Sequence, residues 1–325
     1  MKYTPSKMLS NNIIIVDGIG RSGKLLLGTI VSSFSNTEHF EMGRNFEDIA
    51  PGIEFKKIKI DYAESFIKNY LNELIYNKYL SRNVNFRASD RTGVNNSQNF
   101  KLYKKRLKQK EGNKVINLIK KEKRCFPFVT HDLLLSINAF NKLNIKYKMV
   151  YLFRNPFDLV FSWHKKNHGA RLNGKDQRMF SLMIERNKKN YPWYNKIFGD
   201  YKEYNNIENC ANIVFKLNEK TIEKIKKLKK NLMKNIFIST YEKVSENKYN
   251  EIKSIAKFLK TKFTKNTHNL IKKERLHPRD QKLYSLNLKK RKKFIELNIS
   301  KKIYDKLINQ EKKFNSNIYN LSFRD

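Results

Sequence analysis

The stretch that decides the fold is NNIIIVDGIGRSGKLLLGTIVSSF, residues 11–34. It opens on IIIV at residues 13–16, a β-branched apolar run that predicts a buried strand. Three glycines then supply a turn: Gly18, Gly20 and Gly23. The segment LLLGTIVSSF that follows is apolar nearly all round, which is typical of a buried helix. The stretch therefore predicts a strand, a glycine-rich loop and a helix, in that order.

The loop GIGRSGK, residues 18–24, fits the pattern Gly-x-x-x-x-Gly-Lys of a phosphate-binding loop. Backbone N–H groups at the start of a helix bind anions, and Arg21 and Lys24 would add positive charge. A loop that binds ATP or GTP has Ser or Thr after the lysine, and its hydroxyl holds Mg²⁺. Leu25 occupies that position here. The sequence thus favours an anion that is bound without a metal.

The rest of the chain alternates between short apolar runs and helical patterns. Strands are predicted within FPFVTHD (126–132), KYKMVYLF (146–153) and IFIST (236–240). Helices are predicted at 133–143 and, in a strongly basic segment, at 214–234. This alternation predicts an α/β fold with a mostly parallel sheet, whose ligands bind at the carboxyl ends of the strands.

A second motif, RNPFDLVFS, follows one of these strands directly. Arg154 leaves the strand, and Pro156 suits the first turn of a helix. Ser162 comes eight residues after Arg154, about two helical turns on. A guanidinium and a hydroxyl in this arrangement would contact one phosphate from two sides.

Together the two motifs resemble the sulfotransferase family, whose donor is 3′-phosphoadenosine-5′-phosphosulfate (PAPS). The RSG sequence that begins at Arg21 is similar to the family's 5′-phosphosulfate loop. The RNPFD sequence that begins at Arg154, with Ser162 after it, is similar to the family's 3′-phosphate motif. FVTHD, which ends a strand and contains His131, and the Tyr-Glu pair that begins at Tyr241 resemble two further family segments.

The resemblance implies a P-loop-type three-layer α/β fold, in which helices flank a central, mostly parallel sheet of about five strands. We expect one sulfotransferase-like domain over residues 1–325. Within it we expect a helical insertion at 55–123 that lines the acceptor site, and a lysine-rich helical tail at 285–325.

The resemblance also implies the site residues. His131 would be the catalytic base, and Arg21 and Lys24 would stabilise charge on the transferring group. The residues implied to hold PAPS are Gly20, Arg21, Ser22, Gly23, Lys24, Leu25, Arg154, Ser162 and Tyr241. Asp132 is a competing base, although alternation along an extended chain would direct it away from His131.

The net charge admits two interpretations. The chain has 69 Lys and Arg against 30 Asp and Glu, a formal charge of +39. Such an excess favours a polyanion partner, but lysines fill helix after helix, as a coding bias would produce. Two alternative functions therefore stay open: a P-loop kinase with an atypical loop, and a basic polyanion-binding protein.

Other features set further expectations. His164 and His168 have the spacing of metal ligands, but no third ligand is near them, so no metal is expected. No apolar run is long enough to span a membrane, and no secretory signal is evident, so we expect a cytoplasmic protein. No specific nucleic-acid partner is expected.

The acceptor is the least defined part of the prediction. We expect a hydroxyl group of a glycan or glycolipid, because a basic surface suits an anionic glycan. The polar segment NFRASDRTG (85–93) is either part of the acceptor site or a solvated loop. The charged segment EHFEMGRNFED (38–48) follows the first predicted helix, and the sequence leaves its place open as well.

Overall fold

A central sheet of five parallel strands organises the protein. The computed structural model describes residues 1–171, 180–198, 205–246, 248–274 and 281–318. The strands are β1 (Ile13–Asp17), β2 (Glu41–Met42), β3 (Phe126–Val129), β4 (Tyr147–Phe153) and β7 (Ile236–Thr240), in the order β2-β3-β1-β4-β7. A separate antiparallel hairpin joins β5 (Met183–Arg186) to β6 (Lys189–Pro192). The predicted fold class is confirmed.

Strand β1 shows why the fold has three layers. Ile13 and Ile15 contact one apolar cluster, and Ile14 and Val16 contact another on the opposite face of the sheet. Side chains alternate between the two faces of a strand, so both faces of β1 are covered. A continuous β-branched run, without polar alternation, is the pattern that a strand buried on both faces requires.

The helices surround this sheet. Those before β4 are α1 (Lys24–Val31), α2 (Arg44–Glu54), α3 (Ile60–Tyr79), α4 (Phe100–Arg106), α5 (Asn113–Glu122) and α6 (Ile137–Phe140). Those after β4 are α7 (Pro156–Lys165), α8 (His168–Arg171), α9 (Asn195–Phe198), α10 (Asn206–Lys226), α11 (Lys230–Met233), α12 (Tyr241–Glu246), α13 (Lys248–Phe258), α14 (Lys265–Lys273), α15 (Gln281–Asn298) and α16 (Lys301–Lys313). Among the described residues, no helix combines the length and the apolar character needed to cross a bilayer.

Two helices differ from their predicted form. The segment 133–143 is a 3₁₀ turn, one turn of α-helix and a second 3₁₀ turn. The basic helix predicted at 214–234 instead begins at Asn206 and ends at Lys226. Its start is fixed by Asn205, whose side chain accepts a hydrogen bond from the backbone N–H of Glu208 at 2.9 Å.

Helices make up much of the two segments 55–123 and 285–325. Residues 55–123 contain α3, α4 and α5, and α3 packs against α2 and α5. The predicted tail, 285–325, contains most of α15 and all of α16, which pack on α7 and α10. Its last residues, 319–325, lie outside the described part of the chain.

Candidate active site

A cleft of about 750 Å³ lies at the carboxyl ends of β1, β3, β4 and β7. Parallel strands end at the same edge of a sheet, so the loops that follow them come together there. The cleft is lined by Gly20, Arg21, Gly23, Lys24, Leu25, Leu26, Arg44, Glu47, Arg91, His131, Asp132, Arg154, Trp163, Lys166, His168, Phe180, Ser181, Trp193, Tyr194 and Tyr241.

The glycine-rich loop wraps tightly around the start of α1. Gly23 has φ +99°, and a Cβ atom there would lie 2.4 Å from the ring of Tyr241. Only glycine combines this backbone angle with this close approach. Lys24 is 2% exposed, and its ammonium donates a hydrogen bond to the carbonyl of Gly18 at 2.8 Å. The side chain of Lys24 therefore bonds to the first residue of its own loop, and Lys24 also lines the cleft.

Two arginines join this loop to the motif after β4. Arg21 Nε donates to the hydroxyl of Ser162 at 3.1 Å, and Arg154 donates to the carbonyl of Arg21 at 2.9 Å. The guanidinium of Arg154 lies 4.7 Å from the ring centre of Tyr241. Its buried Nε has no hydrogen-bond partner among the described residues. The two predicted motifs thus meet in space, and one of their donors is left over.

The first turn of helix α7 positions Arg154. The helix begins at Pro156, and the Asn155 side chain caps it by accepting a backbone N–H at 2.9 Å. Asp158, buried in the first turn, lies 3.9 Å from Arg154 and also forms an ion pair with Arg291 of α15. No sequence motif assigned a role to Arg291. In the structure it pairs with the first turn of the helix that follows Arg154.

His131 is held by a carboxylate that the sequence did not identify. Glu47 Oε1 accepts a hydrogen bond from the backbone N–H of His131 at 2.7 Å and lies 3.1 Å from its Nδ1. Arg44 binds the other oxygen of Glu47 at 3.2 Å. With Nδ1 donating to Glu47, Nε2 is the ring nitrogen that can accept a proton. Arg44 and Glu47 both come from EHFEMGRNFED, the charged segment whose place the sequence left open.

Asp132 also lines the cleft, contrary to the expectation from alternation. Strand β3 ends at Val129, and Asp132 has φ +57°, so the chain is no longer extended there. Asp132 is 7% exposed, and its Oδ1 has no hydrogen-bond partner among the described residues. Asp17, by contrast, accepts hydrogen bonds from the hydroxyl of Thr130 at 2.9 Å and the backbone N–H of Leu134 at 2.8 Å. Asp17 therefore has a structural role, whereas Asp132 faces the cleft.

Burial shifts the pKa values of three ionisable groups that line the cleft, Lys24, His131 and Asp132. It lowers the pKa of Lys24 and raises the pKa of Asp132, and the opposite charges of these two residues partly offset both changes. Burial and the charge of Lys24 lower the pKa of His131, and Glu47 opposes that change. The side chain of His131 is 33% exposed, so water and substrate reach it. A lowered pKa favours the neutral imidazole, which is the form that can accept a proton.

One part of the lining, which belongs to neither predicted motif, combines aromatic rings with positive charge. Its aromatic residues are Phe180, Trp193 and Tyr194, and its cationic residues are Arg44, Arg91 and Lys166. Arg91 forms an ion pair with Glu274 at 2.9 Å. It is also the one residue of 55–123 that lines the cleft, and all of that segment's backbone is described.

Eight of the ten predicted site residues line the cleft, and two do not. Ser22 is fully buried inside the loop, where its backbone N–H bonds to the carbonyl of Ile19 at 3.1 Å. Ser162 stands behind Arg21 and touches the site through it. His168, weighed as a metal ligand, stacks on Trp163 at 5.4 Å. The described residues contain no group of His, Cys, Asp and Glu that could hold a metal ion.

Comparison with known families decides what kind of enzyme this is. A family model described as a sulfotransferase domain matches residues 11–319. The chain belongs to the sulfotransferase family. The sulfotransferase expected from the two motifs is therefore confirmed.

Several solved structures are distantly similar to this sulfotransferase. The sulfotransferase domain from the curacin biosynthetic pathway is 14% identical, with a TM-score of 0.43, and the match covers 80% of this chain and 77% of that domain. The sulfotransferase domain of the Synechococcus PCC 7002 olefin synthase is 11% identical (TM-score 0.42; 83% and 81% covered). Retinol dehydratase in complex with retinol and PAP is 18% identical (TM-score 0.32; 81% and 64% covered). The comparison with curated proteins gave no match.

Proposed function

We propose that this sulfotransferase transfers the sulfuryl group of PAPS to a hydroxyl group of a carbohydrate or glycolipid, with His131 as the base. The observation that carries the proposal is the His131–Glu47 pair, which lines the same cleft as Lys24 of the glycine loop and as the aromatic and cationic residues that belong to neither motif. A base there can serve a donor that is held by the two motifs, which form the donor half of the lining, and an acceptor that is held by the aromatic and cationic residues, which form the acceptor half.

The donor half has the chemistry that PAPS requires. The loop before α1 and the cations Arg21 and Lys24 suit the 5′-phosphosulfate, since anions bind at helix N-termini and to fixed cations. The unpartnered, buried Nε of Arg154 suits a further phosphate, which would be the 3′-phosphate. The ring of Tyr241, below Arg154, suits the adenosine. Ser162 would act by holding Arg21.

The acceptor oxygen would attack the sulfur of bound PAPS in line with the bond from sulfur to the 5′-phosphate oxygen. As the new S–O bond forms, that bond breaks and 3′-phosphoadenosine 5′-phosphate leaves. The chain's own groups position the reactants and stabilise charge. His131 takes the acceptor's proton at Nε2, and Glu47 holds the imidazole and stabilises its protonated form. Lys24 and Arg21 place positive charge where negative charge develops on the leaving oxygen.

The residues of the acceptor half favour an acceptor sugar that carries negative charge. The ring of Phe180, which lines the cleft and is 69% exposed, offers an apolar surface against which the carbon face of a sugar ring can pack. Trp193 and Tyr194 also line the cleft, but both are buried. Six cations of the cleft face two carboxylates, Glu47 and Asp132. Three of the six belong to the acceptor half, so an acceptor with carboxylate or sulfate groups is favoured there.

Transfer of labelled sulfate from PAPS tests this function. The acceptors are chondroitin, which carries carboxylates, dextran, which is neutral, a galactolipid and a simple phenol. We expect label on chondroitin above dextran, and none on the phenol. Label on the phenol alone would contradict the carbohydrate proposal.

Lys166→Met and its neighbour Lys165→Met refine the test. Lys166 lines the cleft, whereas Lys165 lies over the ring of Phe161, outside it. Lys166→Met should raise the KM for chondroitin about five- to tenfold and leave the KM for PAPS unchanged, as expected for the loss of one favourable charge contact. Lys165→Met should change neither. Equal effects of the two variants would assign the preference to overall charge.

A further inference from the structure

Helix α15 presents an apolar stripe to solvent on the face opposite its packed side. Leu286 is 50% exposed and Leu297 is 72% exposed, and both point the same way because eleven residues make slightly more than three full turns. Phe294, 37% exposed, lies beside them. Single exposed apolar residues are ordinary, but here they share one face along about 16 Å of one helix.

The other face of α15 is firmly attached to the protein. Ile295 is fully buried in the cluster formed with α7, α10 and α16, and Leu288 packs against the same cluster. Arg291 forms an ion pair with Asp158 of α7, and Lys292 forms one with Glu311 of α16. The apolar stripe therefore belongs to a docked helix, in which the inner apolar face is already covered.

The charge of α15 decides what would cover the stripe. The helix has six cationic residues and one carboxylate, Glu296. Lys290 and Lys293 lie on the stripe itself, at the fourth and seventh positions after Leu286. Lysines extend their charged ends to the water side of a lipid surface while their stems lie on apolar groups. Exposed leucines and a phenylalanine between lysines give this outer face both apolar area and positive charge, the two contributions on which binding to an anionic lipid surface depends.

Other partners fit this face less well. A second copy of this chain would bring a further net charge of +39 against the lysines, and like charges repel. A nucleic acid would be bound through phosphate contacts, which give no reason for exposed leucines. An anionic lipid surface satisfies both the apolar stripe and the lysines.

We propose that α15 docks the enzyme on the surface of an anionic membrane, with Leu286, Phe294 and Leu297 inserted among the lipid headgroups. One edge of the docked face lies on α7, the helix that ends beside the active-site cleft. Phe294 packs against Phe161 of α7 at 5.9 Å, and Lys166, just after α7, lines the cleft. This proposal concerns where the enzyme works and does not depend on which acceptor it sulfates.

Co-sedimentation with vesicles tests the docking. The vesicles contain phosphatidylcholine alone, or phosphatidylcholine with about a third replaced by phosphatidylglycerol. We expect binding to the anionic vesicles only. The double variant Leu286→Ser and Leu297→Ser keeps all charges and should lower the partition coefficient about tenfold or more, because exposed apolar area drives insertion. Lys290→Gln should lower it about fivefold.

Leu107→Ser is the matched control, because Leu107 is 58% exposed in another part of the surface, after α4. It should leave vesicle binding unchanged. All variants should keep the melting temperature and the affinity for 3′-phosphoadenosine 5′-phosphate (PAP) of the wild type. Three results would overturn the proposal: no binding of the wild type to anionic vesicles, equal binding of the double variant, or dimerisation in solution that the double variant abolishes.

Discussion

At the scale of single residues, the proposed proton transfer depends on the pair His131 and Glu47. Glu47 is 84 positions away from His131 in the sequence, and only the fold brings them together. The sequence predicted His131 because a strand end and a family segment coincide there. It offered no signal for Glu47, because a charged segment after a helix has no distinctive pattern of its own.

Asp132 shows a limit of pattern reasoning at the same scale. Alternation applies while a chain is extended, and it predicted opposite directions for adjacent residues. The left-handed backbone of Asp132 ends that regularity, and this side chain faces the cleft as His131 does. A single backbone angle at a strand end could not be predicted from one sequence.

The pH profile should move in opposite directions in two variants. Glu47 raises the pKa of His131 and Lys24 lowers it. A base acts in its deprotonated form, so kcat/KM rises with pH through this pKa. Glu47→Gln should therefore shift the acidic limb to lower pH, and Lys24→Met should shift it to higher pH.

The plateau should fall in both of these variants. Glu47→Gln should lower it about tenfold, because the imidazole loses its orienting partner, and Lys24→Met about a hundredfold or more. The measurement is kcat/KM against pH, with PAP affinity recorded separately. Shifts in the same direction, or a Glu47→Gln plateau equal to that of the wild type, would contradict this arrangement.

At the scale of elements, the site consists of strand ends and the turns that follow them. The sequence identified β1, β3, β4 and β7 correctly because each is a short apolar run next to polar or turn residues. It missed the start of α10, because NIENCANIV mixes asparagines with the apolar positions that the helix buries. It also missed β2, which is only two residues long.

The contact between the glycine loop and α12 can be tested by Gly23→Ala. The added methyl group would collide with the ring of Tyr241, which lies below Arg154. We expect PAP affinity to fall at least tenfold, since displacing Tyr241 disturbs Arg154 as well. Calorimetry with PAP measures the effect.

Gly112→Ala is the control for backbone strain. Gly112 has φ +108°, close to that of Gly23, but a Cβ atom there meets nothing within 4 Å. Both variants carry a backbone penalty, which is at least as large at Gly112 because its ψ of −165° lies outside the left-handed region that Gly23 occupies, and only Gly23→Ala adds the collision. Equal PAP affinities in the two variants would show that the close approach of Tyr241 is unimportant for the donor.

The motif after β4 should discriminate the 3′-phosphate. A charge-assisted hydrogen bond contributes about 1.5–3 kcal/mol, or roughly ten- to a hundredfold in affinity. Arg154→Ala should weaken PAPS by this amount. It should weaken adenosine 5′-phosphosulfate, which lacks the 3′-phosphate, much less. Equal losses for both ligands would make Arg154 a structural residue.

At the scale of the whole molecule, charge and fold carry different information. The amino-acid composition could not distinguish a functional excess of lysine from a coding bias. The fold shows only where cationic side chains cluster. Six cations gather in the cleft, and a further group lines α15. The overall class was predictable because a single motif, strand–glycine loop–helix, fixes the sheet and its ligand edge together.

Donor binding should depend on these charges and not on a divalent metal. Leu25 replaces the hydroxyl that would hold Mg²⁺, and the described residues offer no metal cluster. Calorimetry with PAP should give the same affinity with and without EDTA. The affinity should fall as salt rises, because salt screens the cations of the cleft. Loss of binding in EDTA would contradict the site.

The most direct test of the central claim compares His131→Ala with Asp132→Asn in single-turnover sulfuryl transfer from PAPS to chondroitin. We predict that His131→Ala lowers the transfer rate at least about a hundredfold, while PAP affinity and melting temperature stay near those of the wild type. Asp132→Asn should stay within about tenfold of the wild-type rate. The account would be contradicted if His131→Ala kept its rate while Asp132→Asn lost it, or if His131→Ala lost PAP binding in parallel with turnover.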